Sequence, residues 1–107
     1  QVQGLVFFGF PLHPAGQPGT TRAAHLERVK VPMLFLQGGR DKLADLGLLT
    51  PIVQGLGPAV ALEIFPDADH GFHVPKRSGQ TDAEVIELLA ERAAWWMARL
   101  AAANRAP

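Results

Sequence analysis

Two short segments place ionisable side chains where chemistry is possible. Asp41 stands in Gln37-Gly38-Gly39-Arg40-Asp41, just past the apolar run Met33 to Gln37. His70 stands in Pro66-Asp67-Ala68-Asp69-His70-Gly71, just past the apolar run Val60 to Phe65. In an open sheet of parallel strands, ligands bind beyond the carboxyl ends of the strands. Glycines at such an end let the chain turn sharply and carry a carboxylate over the sheet edge. Each segment alone has a plain structural use: Asp41 as a helix cap or turn residue, His70 as a hydrogen-bonded loop histidine. Together they put an acid and an imidazole on one rim, on neighbouring strands ~5 Å apart. Asp41 then accepts the Nδ1–H of His70 and holds its tautomer, leaving Nε2 to act as general base. Asp45 is an alternative acid. Asp69 adjoins His70 but is expected to turn away and bind the loop backbone.

Other candidates have weaker claims. Asp67, Asp69, His70 and His73 invite a metal reading, but His-x-x-His across a glycine lacks the i, i+4 spacing that puts two ligands on one helical face, and no metal or cofactor is expected. His13 lies in a proline-rich loop on the same rim, either bordering a pocket or, the plainer reading, on the surface. His25 reads as structural, and Lys76 and Arg77 as solvated. Ser78 is the chain's only serine, in the polar loop Lys76-Arg77-Ser78-Gly79. No strand-to-helix elbow is there to expose its hydroxyl, so it is not expected to be a nucleophile.

The elements that must position Asp41 and His70 follow from the apolar runs. Gly4 to Phe10 reads as a strand buried on both faces, followed by loop from Pro11 to Thr21. Arg22 to Val29 is a short helix capped by Thr20 or Thr21. Met33 to Gln37 is the second strand. Leu46 to Leu56 is a helix with Pro51 suited to its first turn and Gly55 and Gly57 to its end. Val60 to Phe65 is the third strand. Thr81 and Glu84 form a capping box that opens the last helix. On that helix Val85, Ile86, Leu89, Ala93, Trp96, Met97 and Leu100 recur at helical spacing. Adjacent Trp95 belongs to the border of that stripe or to a partner surface. Strand–helix alternation of this kind means an α/β fold: a parallel sheet with flanking helices and right-handed crossovers.

Composition bounds the remainder. The 107 residues suit one small domain, with 48% hydrophobic and 19% charged residues. Ten basic and ten acidic residues cancel, which gives no reason to expect nucleic acid or an anionic membrane as partner. With no cysteine, disulfides, thiolate metal sites and cysteine nucleophiles are excluded, and a cytoplasmic setting fits. No apolar run approaches the ~18 residues that cross a bilayer. Three largely apolar parallel strands need neighbours at their edges. The chain opens on Gln1 and is apolar by Leu5, as expected of a domain whose earlier strands lie upstream. Self-association, or pairing with that N-terminal half, is therefore expected.

The segments VKVPMLFLQGGRD and EIFPDADHGF resemble the acid-strand and histidine-loop segments of α/β-hydrolases. FFGFPLHPAGQPGTTRAAHL is similar to the corresponding region of predicted hydrolases related to dienelactone hydrolases. The resemblance covers roughly Gly4 to Leu100. It implies the last three β-α units of a three-layer αβα fold, with residues 1–107 a partial, C-terminal domain. It also implies Asp41 as the acid and His70 as the base of a serine-type triad acting on a small-molecule acyl substrate, such as an ester. That family runs nucleophile, acid, histidine along the chain, and G-x-S-x-G does not occur in these residues. The isolated chain is therefore expected to be inactive. The rival reading is a non-catalytic binding or scaffolding module on the same fold.

Overall fold

The computed structural model describes residues 2–105. Three strands, β1 (Leu5–Phe8), β2 (Met33–Gly38) and β3 (Val60–Phe65), form one parallel sheet in the order β1-β2-β3. Between β1 and β2 runs a 3-10 helix, Thr21–Arg28, and between β2 and β3 the helix α1, Leu46–Gly55. After β3 come a 3-10 turn, Lys76–Ser78, and the long helix α2, Asp82–Arg105.

The central strand explains the layering. All six residues of β2 are buried, as a strand covered on both faces must be. Its side chains alternate. Met33 and Phe35 join a core with Leu26, Leu49 and Val53 from the 3-10 helix and α1. Leu34 and Leu36 join a second core with Val85, Leu89 and Ala93 of α2. One layer of helix therefore lies on each face of the sheet. Phe35 is completely buried and stacks on Phe7 at 4.7 Å between ring centroids.

Several expectations need correction. β1 is shorter than Gly4 to Phe10: Gly9 takes φ +82° and ends it, although its N–H still donates to Leu36 O at 2.9 Å. β1 is also an edge strand rather than one buried on both faces, and Phe8 is 54% exposed. The segment after Thr20 is a 3-10 helix, and Thr20 makes no side-chain cap bond. Pro51 lies well inside α1 rather than in its first turn. The apolar stripe of α2 is narrower than its periodicity suggests. Val85, Leu89 and Ala93 are buried and Trp96 and Leu100 half-buried, but Ile86 and Met97 stand exposed. Three strands offer α2 a surface too narrow to cover them. Trp95 is exposed, with the Arg99 guanidinium 4.8 Å from its ring centre. The capping box forms as expected: Glu84 N donates to Thr81 Oγ1 at 3.1 Å and Thr81 N to Glu84 Oε1 at 2.8 Å. No helix among the described residues is long and apolar enough to cross a membrane.

Candidate active site

The glycine pair after β2 sets the site's geometry. A Cβ on Gly38 would lie 2.4 Å from Ala68 O and 2.5 Å from Asp69 O, and one on Gly39 would lie 2.5 Å from Pro66 O. Only bare backbone lets the loop from β3 cross the end of β2 this closely. Two main-chain bonds fasten the crossing, Gly39 N to Phe65 O at 2.8 Å and Arg40 N to Ala68 O at 2.9 Å. The loop thereby carries His70 over the end of β2 to Asp41.

There His70 Nδ1 lies 2.7 Å from Asp41 Oδ2. The carboxylate only accepts, so Nδ1 carries the proton and Nε2 is left as the basic nitrogen. The Asp41 side chain is fully buried, while that of His70 is 41% exposed. Such a pair can orient an imidazole from behind while its reactive edge meets a substrate. Leu43 N donates to Asp41 Oδ1 at 2.8 Å, and Gln37 Nε2 to Oδ2 at 2.9 Å. Every oxygen of the buried carboxylate thus has a partner, as burial of a charge requires. His70 also rests on Gly9, where a Cβ would come within 3.3 Å of the imidazole.

The loop itself is strained and heavily bonded. Phe72 adopts φ +62°, costly for a bulky residue. It is held there by burial against Phe65, edge to face at 6.2 Å. Asp69 turns to the backbone as expected: its Oδ1 accepts from Gly71 N at 3.0 Å and His73 N at 2.9 Å. His73 pairs through Nδ1 with Asp82 Oδ2 at 2.8 Å, and Asp82 Oδ1 accepts from Val74 N. This pair ties the histidine loop to the first turn of α2.

The bond to Asp82, then the charges of Asp82 and Asp69, raise the His73 pKa above 6.5. The Val74 N–H and then His73 hold the Asp82 carboxyl below 3.8. His73's contribution is complete below about 6.5 and is lost as pH rises through its raised pKa. That of Asp82 is present above about 3.8 and lost as pH falls through its lowered pKa. The tether is therefore complete at mildly acidic pH and loosens on either side. In an NMR titration the His73 midpoint stands above 6.5, and Asp82→Asn, which keeps an acceptor for Val74 N, lowers it. An unchanged midpoint in that variant contradicts the pairing.

The remaining candidates resolve by position. Asp45 is the N-cap of α1, its Oδ1 accepting from Gly47 N at 2.7 Å. This takes the capping role from Asp41 and removes Asp45 as the acid partner of His70. His13 is buried, not on the surface. Its Nε2 accepts from Asp45 N at 2.9 Å, so Nδ1 carries the proton toward Pro14 O at 2.8 Å, and the ring staples the proline-rich loop to the cap of α1. Half-buried Ser78 accepts through Oγ from Gln80 N at 3.1 Å in an exposed turn. His25, Lys76 and Arg77 are exposed.

A family model described as an alpha/beta hydrolase domain matches residues 1–98. The chain belongs to the alpha/beta hydrolase domain family. No solved structure gives a significant match. In this α/β-hydrolase-fold chain, sequence reasoning missed Gln37 and Gly9. Gln37 left a signal: one polar side chain at the end of a strand otherwise apolar throughout. Gly9 left none, because its closeness to His70 exists only in three dimensions.

Proposed function

We propose that this chain is the C-terminal part of a serine-type α/β-hydrolase cleaving an ester or related acyl bond. Asp41 is the orienting acid and His70 the general base of its triad. The observation that carries this reading is the 2.7 Å bond between a buried carboxylate and a half-exposed imidazole, built at two neighbouring strand ends. The relation to dienelactone hydrolases and the small-molecule acyl substrate rest on the sequence resemblance, and the absence of cysteine agrees with cytoplasmic residence. The nucleophile and its oxyanion donors lie outside these residues in this reading, so the chain alone does not accelerate acyl transfer.

The test joins sequence and assay. The reading frame ahead of Gln1 carries G-x-S-x-G after an apolar strand, and the longer protein hydrolyses activated esters and reacts with a serine-directed fluorophosphonate. The 107-residue chain does neither. Turnover by the chain alone that survives His70→Ala would remove the triad assignment. A longer protein with glycine or alanine at the nucleophile position would favour the scaffolding role.

The same reading makes β1 an unpaired edge, with apolar Phe8 more than half exposed. Such edges template further pairing. The chain alone self-associates with rising concentration in sedimentation, and Phe8→Lys, which sets a charge at the exposed position of that edge strand, reduces the association. A clean monomer across the concentration series contradicts it.

A further inference from the structure

The mechanism assigned to Asp41 and His70 leaves one fully buried polar side chain unused. Gln37 has no exposure, and it ends the face of β2 that Met33 and Phe35 begin. Its two polar ends meet different elements. Oε1 accepts from Phe10 N at 3.0 Å, just past the end of β1, and Nε2 donates to Asp41 Oδ2 at 2.9 Å.

These partners dictate the orientation of the amide. Phe10 N can only donate, and the ionised carboxylate can only accept. A flipped amide would set donor against donor and oxygen against oxygen in a buried site, where unmet groups are costly. Asp41 Oδ2 is the oxygen that also accepts the Nδ1–H of His70, while Oδ1 is held by Leu43 N. Gln37 therefore holds the carboxylate at the oxygen on which His70 depends. Its other end is anchored beside Gly9, the residue against which the imidazole packs.

We propose that Gln37 is a positioning residue for the acid–histidine pair, fixing the plane of the Asp41 carboxylate so that His70 keeps its Nδ1–H bond and its Nε2 free. Its catalytic meaning rests on the hydrolase reading. Its structural effect does not, and is measured without turnover.

The experiment uses the 107-residue chain with 15N-labelled histidine. The probes are the His70 Nδ1–H resonance, its exchange with water, and the tautomer reported by the ring nitrogens. Gln37→Leu removes both hydrogen bonds without adding a charge beside Asp41. Gln37→Met keeps the volume and removes both. Loss of one hydrogen bond to a charged group is worth about tenfold or more, so exchange of the His70 Nδ1 proton accelerates by about that factor in both variants. If Gln37 only supports the fold, both variants melt earlier while exchange of the His70 Nδ1 proton below the transition stays unchanged, and that result overturns the proposal. Should both variants fail to fold, the unsubstituted chain decides. Gln37 side-chain amide protons exchange at least about tenfold more slowly than those of exposed Gln54, and equal rates overturn the proposal. Failed ester hydrolysis by the longer protein, with these His70 effects intact, removes the hydrolase reading and leaves the positioning role standing.

Discussion

Asp41→Asn, made in a form of the protein that carries the nucleophile, lowers kcat for an activated ester by about 10⁴-fold, and His70→Ala lowers it by on the order of 10⁶-fold. The first loss follows from counting donors. Asp41 accepts from Gln37 Nε2, Leu43 N and His70 Nδ1. Asparagine offers one accepting oxygen and one donating NH₂ group. With Leu43 N holding the accepting oxygen at the Oδ1 position, the NH₂ takes the Oδ2 position and faces both Gln37 Nε2 and His70 Nδ1. The cheapest relief is for His70 to shift its proton to Nε2 and accept at Nδ1, which removes the base from the nitrogen that needs it. Asp41→Asn therefore inverts the tautomer, readable by 15N shifts of the ring, and leaves the buried Gln37 NH₂ facing a donor, which lowers stability by about 1–3 kcal/mol. His70→Ala removes the base outright, and because its side chain is 41% exposed, stability changes little. Circular dichroism on both variants separates lost chemistry from lost folding. Turnover retained within tenfold in Asp41→Asn would deny the acid its role.

Gly38→Ala has the largest expected effect on stability. The new methyl would sit 2.4 Å from Ala68 O and 2.5 Å from Asp69 O, both main-chain atoms with no rotamer to yield. The loop after β3 must lift, straining the Arg40–Ala68 and Gly39–Phe65 hydrogen bonds. Overpacking of this kind costs about 1–3 kcal/mol, and loss of the bonds pushes the sum to the upper end. For a domain this small the melting temperature falls by more than about 10 °C. Gly19→Ala is the control, since its added carbon meets nothing within 4 Å. The same substitution at Gly38 moves His70 off Asp41, so His70 Nδ1–H protection is lost even below the melting transition. Equal melting temperatures for the two variants would mean that the loop crosses β2 less closely than described.

How much could be read from residues alone depended on whether the signal was local. The apolar run at Met33 to Gln37 marks a strand because a strand covered on both faces is apolar almost throughout, and Val60 to Phe65 marks one by branched and aromatic residues that stop at Pro66. Thr81 and Glu84 mark a helix start because the capping box closes within one turn. Asp41 and His70 could be placed on one rim because parallel strands end on the same side of a sheet. Their alternation with helices sufficed for the α/β class, and the match to the alpha/beta hydrolase domain agrees.

What failed was whatever depended on neighbours distant in sequence. Nothing local distinguishes His13 on a surface from His13 buried against the Asp45 amide, 32 positions away. The periodicity of α2 counted Ile86 and Met97 as core, yet periodicity reports a face and not the width of the sheet beneath it. Asp45 stayed an alternative to Asp41 as the acid until the start of α1 claimed it as its cap. Gln37 and Gly9 acquire their places only when β1 and the loop after β3 meet at the end of β2. Sequence by itself determined which elements form and on which rim the acid and histidine stand, because propensity and apolar periodicity act over a few residues. Tertiary structure alone decided which side chains hold that pair in place, because a buried carboxylate takes its donors from wherever the fold brings them.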